Sequence, residues 1–495
     1  MVDPTPRLER FQSYEEAIRD FRWHIPERFN FAEALFRRHP DAVTRIALYD
    51  VRFGGANIYT FGGLDYLSDK FANVLAERGV RAGDYVGICA AQSAAAAVAE
   101  LATLKAGAIA LVPWSAGPSH LVEPAARLLE GGPSDQKARV LVLDAASLER
   151  INRVPQLVGL LTESGSQAEL IFVAGQTSQA GGYQDFWRVL TAADSDFTSI
   201  ETSSSSPAFV FLGDSPHGDA SHGERPLEER PLVDSAAGQQ ARRDKSQPGP
   251  AHGGAVAHAH SASIRIVHSH ASLISQLSGF EMANEFDLAD GKTVWSPGDW
   301  SSPSILLGMV LPAWWYGGAV VAYDKALPAG WLDAIESYDI TNAFLTESNL
   351  EFLLEVTEDH LRRNEQAGTA ASGGPIQSRL RRVISDDAVD AGLRLRLRGL
   401  YNAESNVLHG PPEAPSAIAT CSRWFETRDG WLGRAAPGWE IEVLDAAGRP
   451  VQPGRLGTIV IRRSAATPPE GAWVNTRARG VKQLDGSIWL APEQI

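Results

Sequence analysis

The spacing of short apolar runs against helical periodicity most limits the folds open to this chain. Leu64, Leu67, Phe71, Val74 and Leu75 recur at helical intervals, and Gly79 follows Arg78 as a helix stop. Asp84-Tyr-Val-Gly-Ile-Cys89 is a short apolar run suited to a buried strand. Ala94–Lys105 then reads as a small-residue helix able to pack closely on a sheet, and Gly107-Ala-Ile-Ala-Leu-Val112 as the next strand. Arg139-Val-Leu-Val-Leu143 and Leu170-Ile-Phe-Val173 continue the series. A second set runs from about residue 264 to 400 and includes Ile340-Thr-Asn-Ala-Phe-Leu345 and Leu380-Arg-Arg-Val-Ile384. Strands alternating with helices at this spacing predict an α/β fold of βαβ units with mainly parallel sheets.

After 410 the pattern changes. Trp439-Glu-Ile-Glu-Val-Leu444 alternates apolar and polar residues, Asp445-Ala-Ala-Gly-Arg-Pro450 supplies a turn, and Gly457-Thr-Ile-Val-Ile-Arg462 alternates again. This is antiparallel β structure of small-barrel or sheet type. The expected division is a first α/β subdomain over 1–206, a loop region over 207–263, a second α/β subdomain over 264–410 and a β subdomain over 411–495.

At 495 residues the prior is about three domain-sized units. The net charge of −15 argues against nucleic acid or an anionic membrane as partner, since both select for a Lys/Arg surplus. Cys89 and Cys421 lie far apart without metal-ligand spacing, and no signal-like segment opens the chain, so they read as buried thiols in a reducing cytoplasm. The uncharged stretch 305–322 approaches the length of a membrane span. Pro312 and the Gly317-Gly318 pair divide it into a helix, a turn and the short strand Ala319–Tyr323, so it is expected in the core.

The strand-like run Pro207-Ala-Phe-Val-Phe-Leu212 leads into Gly213-Asp-Ser-Pro-His-Gly218 and then a polar, low-complexity tract, with ordered pattern resuming at Ile264. A glycine- and serine-bearing turn after a strand is how backbone N–H groups come to cradle a phosphate. This turn has no Lys beside its glycines, and Asp214 and Asp219 carry the wrong sign. Lengthening such a loop from about eight to about fifty residues costs only roughly 1.6 kcal/mol, at ~0.6 per doubling. The fold therefore tolerates the insertion even where the chemistry does not. Seven of the twelve histidines fall between His217 and His270, but their spacing is irregular and surface placement is preferred over metal ligation. A shorter stretch, 364–378, is expected as another exposed loop.

Together several segments resemble the AMP-forming acyl-CoA synthetases, in particular the medium-chain or benzoate-like branch. They are Trp23-His-Ile-Pro-Glu-Arg-Phe-Asn-Phe-Ala-Glu33, Tyr59-Thr-Phe61, Gly83-Asp-Tyr-Val86, Val294-Trp-Ser-Pro-Gly-Asp-Trp300, Leu311-Pro-Ala-Trp-Trp-Tyr-Gly317 and Gly433-Arg-Ala-Ala-Pro-Gly438. The resemblance implies two βαβ subdomains, a small distorted β-barrel and a mobile C-terminal lid. It also implies a reaction belonging to fatty acid metabolism. A carboxylate attacks the α-phosphate of ATP to give an acyl-adenylate, and the thiol of coenzyme A then displaces AMP.

Residue by residue, the resemblance is uneven. Tyr401-Asn-Ala-Glu404 resembles the Tyr-Gly-x-Thr-Glu motif but is one residue short. Tyr401 is expected to stack on adenine and Glu404 to hold Mg²⁺, with a helix-entry carboxylate beside a buried tyrosine as the alternative. Ser385-Asp-Asp-Ala388 stands where a Ser-Gly-Gly-Glu turn is expected. Thr476-Arg477-Ala478 replaces Thr-Gly-Asp, so no carboxylate is left to bind the ribose hydroxyls. The chain stops at Ile495, and the lid with its catalytic lysine is expected to be absent. On the acyl side, Asp299 and Trp300 are placed by resemblance beside the carboxylate pocket, with aromatic core packing as the other role open to Trp300. His270, in the His268-Ser-His270 motif, either approaches the site or serves as a cap or packing residue.

These readings describe a pseudoenzyme: an acyl-CoA synthetase homologue impaired in catalysis, binding a small carboxylic acid or acyl-adenylate. The alternatives are a divergent active adenylating enzyme, with a partner protein supplying the lid, and a non-catalytic scaffold in an acyl-transfer assembly.

Overall fold

Apolar runs bounded by turns assemble into two sheets in the computed structural model, which describes residues 7–52, 55–114, 138–152, 170–175, 183–214, 263–288, 291–323, 330–367, 376, 378–464 and 472–491. The larger sheet begins with Gly55–Thr60 and Ile46–Arg52. It continues through Ala319–Tyr323, Thr293–Trp295, Asn342–Phe344, Arg382–Ser385 and Glu404–His409. From Ile46–Arg52 to Glu404–His409 every neighbouring pair is parallel. Beyond Glu404–His409 the pairing turns antiparallel, through Ile418–Ala419, Trp431–Ala435, Ile488–Leu490, Val474–Lys482 and Leu456–Arg463 to Trp439–Leu444. The alternation of Trp439–Leu444 puts every second side chain inside. These last strands form an open end of the larger sheet, and no closed barrel is present among the described residues.

The smaller sheet runs Gln184–Asp185, Leu170–Ala174, Ala138–Asp144, Tyr85–Cys89, Ile109–Pro113, Pro207–Asp214 and Ser263–Ser269. Only its last pair is antiparallel. The sheets do not divide the chain at residue 206. Ile46–Arg52 and Gly55–Thr60 lie in the larger sheet, and Ser263–Ser269 belongs to the smaller one.

The helix Ala94–Lys105 is buried at every position, which its run of alanines permits. Ser93 caps its start by accepting the Ala96 N–H at 3.1 Å. Its one buried cation, Lys105, pairs with Asp65 and Asp69 of the helix Phe61–Glu77. The apolar stretch 305–322 is the expected helix, turn and strand, and no helix among the described residues is long and apolar enough to cross a membrane. Its tryptophans are core residues. Trp314 meets Trp300 edge-on at 5.8 Å and donates from Nε1 to the Ala47 carbonyl at 2.9 Å, while Trp315 stacks on Phe31 at 5.3 Å.

Two expectations change. The strand from Pro207 does not turn at Gly213: it runs on to Asp214, pairing Gly213 with Ile264 and Asp214 with Ser263. Gly213 is required there by packing, because a Cβ would lie 2.4 Å from the Trp114 ring. The rest of the expected turn, with His217, Gly218 and Asp219, lies outside the described residues. In the stretch 364–378, Asn364 to Gln366 still belong to the helix Glu347–Gln366, and 368–375 and 377 lie outside the described residues.

Trp314 joins the first strand of the larger sheet to the loop that carries Asp299. Trp314→Ala is therefore expected to lower unfolding free energy by about 3–5 kcal/mol. Urea denaturation followed by circular dichroism measures this, and an unchanged midpoint would show that the ring contributes little.

Candidate functional site

Parallel strands present their carboxyl ends at one edge, and ligands of open α/β sheets bind there. In the larger sheet the residues following those ends are Ser296 to Asp299, Leu345-Thr346, Asp386 and His409-Gly410. The first three groups help to line a cavity of about 230 Å³ whose walls include Asp299, Ile305, Phe344, Thr346, Asp386 and Leu408. Its lining mixes apolar side chains with hydroxyls and carboxylates, a combination common in small-molecule sites.

Short hydrogen bonds hold the rim. Ser296 donates from Oγ to the Phe344 carbonyl at 2.9 Å and accepts the Gly298 N–H at 3.0 Å. Asp299 accepts the Ser301 N–H at 2.9 Å. Thr346 caps the helix Glu347–Gln366 by accepting the Asn349 N–H. Partial desolvation pushes the Asp386 carboxyl above the usual carboxylate range although the residue is exposed at the rim, and the nearby His409 partly offsets this. His409 Nδ1 donates to the Asp386 carbonyl at 2.6 Å, tying two strand ends together.

The chain then turns sharply through Gly410-Pro411-Pro412-Glu413. A Cβ at Gly410 would lie 1.9 Å from the Ala414 carbonyl oxygen, so only glycine fits. His268, buried in the last strand of the smaller sheet, donates from Nε2 to the Pro412 carbonyl at 2.9 Å and fixes this turn. Glu413 is pushed up by burial, against the opposing charge of Arg477.

The predicted residues divide between this edge and elsewhere. Asp299 lines the cavity. Trp300 is 1 % exposed and packs on Trp314, beneath the loop rather than in the cavity wall. His270 is fully buried, its Nδ1 accepting the Phe31 N–H at 3.1 Å at the start of the helix Phe31–Arg37. It acts as a helix-entry cap. Tyr401 and Glu404 are not brought to the cavity. Tyr401 ends the helix Ala391–Tyr401 with its hydroxyl 2.6 Å from Thr357 Oγ1 in the core. Glu404 opens the strand Glu404–His409, about 17 Å from its carboxyl end by strand rise. There it is exposed and forms a two-pronged ion pair with Arg398, at 3.0 and 2.6 Å.

The sequence reading missed His409-Gly410-Pro411-Pro412-Glu413. It keeps a ring, a glycine and a glutamate at the full Tyr-Gly-x-Thr-Glu spacing, which Tyr401-Asn-Ala-Glu404 does not. Its counterpart across the cleft, Thr476-Arg477-Ala478, lies in the strand Val474–Lys482. Thr476 donates to the Ile459 carbonyl at 2.8 Å, Arg477 has a φ of 62°, and Ala478 brings only a methyl group.

Burial holds His268 and His270 down to about 4, against 6.5 for a free imidazole. Between those values the unfolded chain binds more protons than the folded one. Their stabilisation is thus complete above pH 6.5 and lost as pH falls towards 4, by roughly 3 kcal/mol for each. His270→Asn is expected to flatten the fall in melting temperature between pH 6.5 and 4. An unaltered slope would show that His270 is not buried in its neutral form.

The profile of the family described as AMP-binding enzyme matches residues 32–156 and 265–468. Among solved structures, an anthranilate CoA ligase, AuaEII, in complex with anthranoyl-AMP superposes with a TM-score of 0.70 at 18 % identity, over 94 % of this chain and 78 % of that one. An acyl-CoA synthetase from Brucella canis gives 0.71 at 17 %, over 98 % and 80 %. A benzoate CoA ligase from Burkholderia xenovorans LB400 gives 0.66 at 17 %, over 94 % and 80 %. No curated protein matches the sequence.

Proposed function

The chain belongs to the AMP-binding enzyme family, and on that footing we propose that it binds a small carboxylic acid and its acyl-adenylate but is impaired in the ATP-driven step that makes the adenylate. The observation that carries this reading is the contrast between two edges. The carboxyl edge of the larger sheet keeps a formed cavity and a tight His409–Glu413 turn, whereas the strand Pro207–Asp214 stays in its ladder where an anion-gripping turn would begin. The acyl group occupies the cavity between Ile305, Phe344 and Leu408, and the adenylate lies beyond it against the turn that begins at His409 and Gly410.

ATP, Mg²⁺ and coenzyme A are the co-substrates that the resemblance implies, and the residues present do not suit the first two. A triphosphate-bearing nucleotide would gain no hydrogen bond from the Ala478 methyl. For Mg²⁺ the turn offers one carboxylate, Glu413, and Arg477 stands close enough to lower its pKa. A cationic neighbour opposes a divalent ion, and no cluster of three metal-binding side chains exists among the described residues. No catalytic step is therefore drawn through the metal. An adenosine monophosphate moiety makes smaller demands, with one negative phosphate and a base to stack. Binding without efficient turnover is the function that these contacts support.

Calorimetric titration with a hydrolysis-resistant acyl-AMP analogue is expected to show binding. His409→Ala and Glu413→Gln are expected to weaken it by roughly tenfold, equivalent to about 1.4 kcal/mol. Glu404→Gln should leave it unchanged, because an exposed ion pair contributes little. Carboxylate-dependent exchange of pyrophosphate into ATP should stay at background. Exchange at the rate of an active ligase would overturn the impairment, and absence of analogue binding would overturn the binding role.

A further inference from the structure

We infer that the small cavity walled by Glu100 and Asp299 is a site for one monovalent cation of potassium or ammonium size. Glu100 stands in the buried helix Ala94–Lys105, 2 % exposed, within Ala94–Ala102, whose other residues are alanine, valine and leucine. Its Oε2 is sealed from solvent and has no hydrogen-bond partner among the described residues. It borders a cavity of about 10 Å³ at the carboxyl ends of Tyr85–Cys89 and Ile109–Pro113, lined also by Ala90, Ser147, Asp299 and Ser301. That volume holds a single water-sized occupant.

The chemistry of the walls selects the occupant. The charge beside Glu100 is that of Asp299, of the same sign, and burial and this neighbour both oppose ionisation of Glu100. A buried carboxyl without a partner is relieved by a proton or by a cation. Oε2 makes no hydrogen bond to the described residues, so a proton there would neutralise the carboxyl without gaining a bond in this arrangement. A cation there satisfies the unpartnered Oε2 of Glu100, with Asp299 and the hydroxyls of Ser147 and Ser301 as further hard oxygen ligands. Mg²⁺ keeps several waters and finds no room for them in this volume. Potassium and ammonium are close to water in size and need no such shell.

Asp299 lines both this cavity and the substrate cleft. The bound cation therefore offsets, from behind, a negative wall that would repel a carboxylate ligand. This last consequence rests on the proposed function, and the site itself does not.

The test is thermal unfolding of the full chain in potassium, ammonium and choline chlorides at equal ionic strength, with anomalous diffraction from rubidium-soaked crystals. Potassium and ammonium are expected to raise the melting midpoint by roughly 2 °C or more over choline. Glu100→Gln and Glu100→Met should abolish that difference, and a rubidium peak should lie between the carboxylates of Glu100 and Asp299. Equal midpoints in potassium and choline, a response that survives both substitutions, or rubidium bound only elsewhere would each overturn the site. The rubidium result decides the matter even where a variant fails to fold. Neither readout requires the cleft to bind a ligand, so failure of the acyl-adenylate reading leaves this result intact.

Discussion

The parallel register that joins Thr293–Trp295, Asn342–Phe344, Arg382–Ser385 and Glu404–His409 is the constraint on which the rest of the molecule depends. Residues in register emerge together, so Ser296, Leu345, Asp386 and Gly410 arrive at one edge although more than a hundred positions separate the first from the last. Buried carboxylates hold this arrangement from behind. Glu285, with a φ of 57°, accepts the Ser422 N–H at 2.6 Å, the Arg423 N–H at 3.0 Å and the Asn406 side chain at 2.9 Å. One side chain thus ties a helix end, a sheet strand and the following loop together, and removing it would leave several buried donors unpaired.

The same edge shows why the cavity and its turn are bound up with the stability of the fold. Cavity and turn are shaped by strands that also carry the core, so packing preserves them whether or not chemistry proceeds. A substitution at a strand end or an exposed turn costs the fold less, so stability guards the cavity and the His409–Glu413 turn more tightly than the exposed turns around them.

Much of the fold was legible because its signals are local. Ala94–Lys105 and Trp439–Leu444 were bounded correctly by their own composition and alternation. The apolar segment around Trp314 divided at its glycines as expected, but not at Pro312, which lies within a helical run that continues to Trp315 through a π-helical turn at Leu306–Val310. The site was less legible, because a ligand edge is a property of the assembled sheet. Tyr401-Asn-Ala-Glu404 resembled a ligand motif, yet Asn402 adopts a left-handed conformation as a helix cap, so Tyr401 closes a helix and Glu404 opens a strand. Knowing that the strand runs on to His409 moves the candidate motif to its far end. Likewise nothing local in Gly213-Asp214 reveals a ladder; the pairing with Ser263 and Ile264 does. Glu100 is the opposite case, a charged letter inside an apolar helix whose oddity was visible in the sequence but whose meaning needed the cavity.

Asp214 and Ser263 face one another as the final rung of an antiparallel pair. Two strands so joined sit about 5 Å apart whatever connects them. Evolution, or an engineer, can therefore trade the intervening passage for a reporter, a recognition tag or a bare two-residue hairpin, and both sheets will close as before. The molecule carries in effect a socket between Asp214 and Ser263.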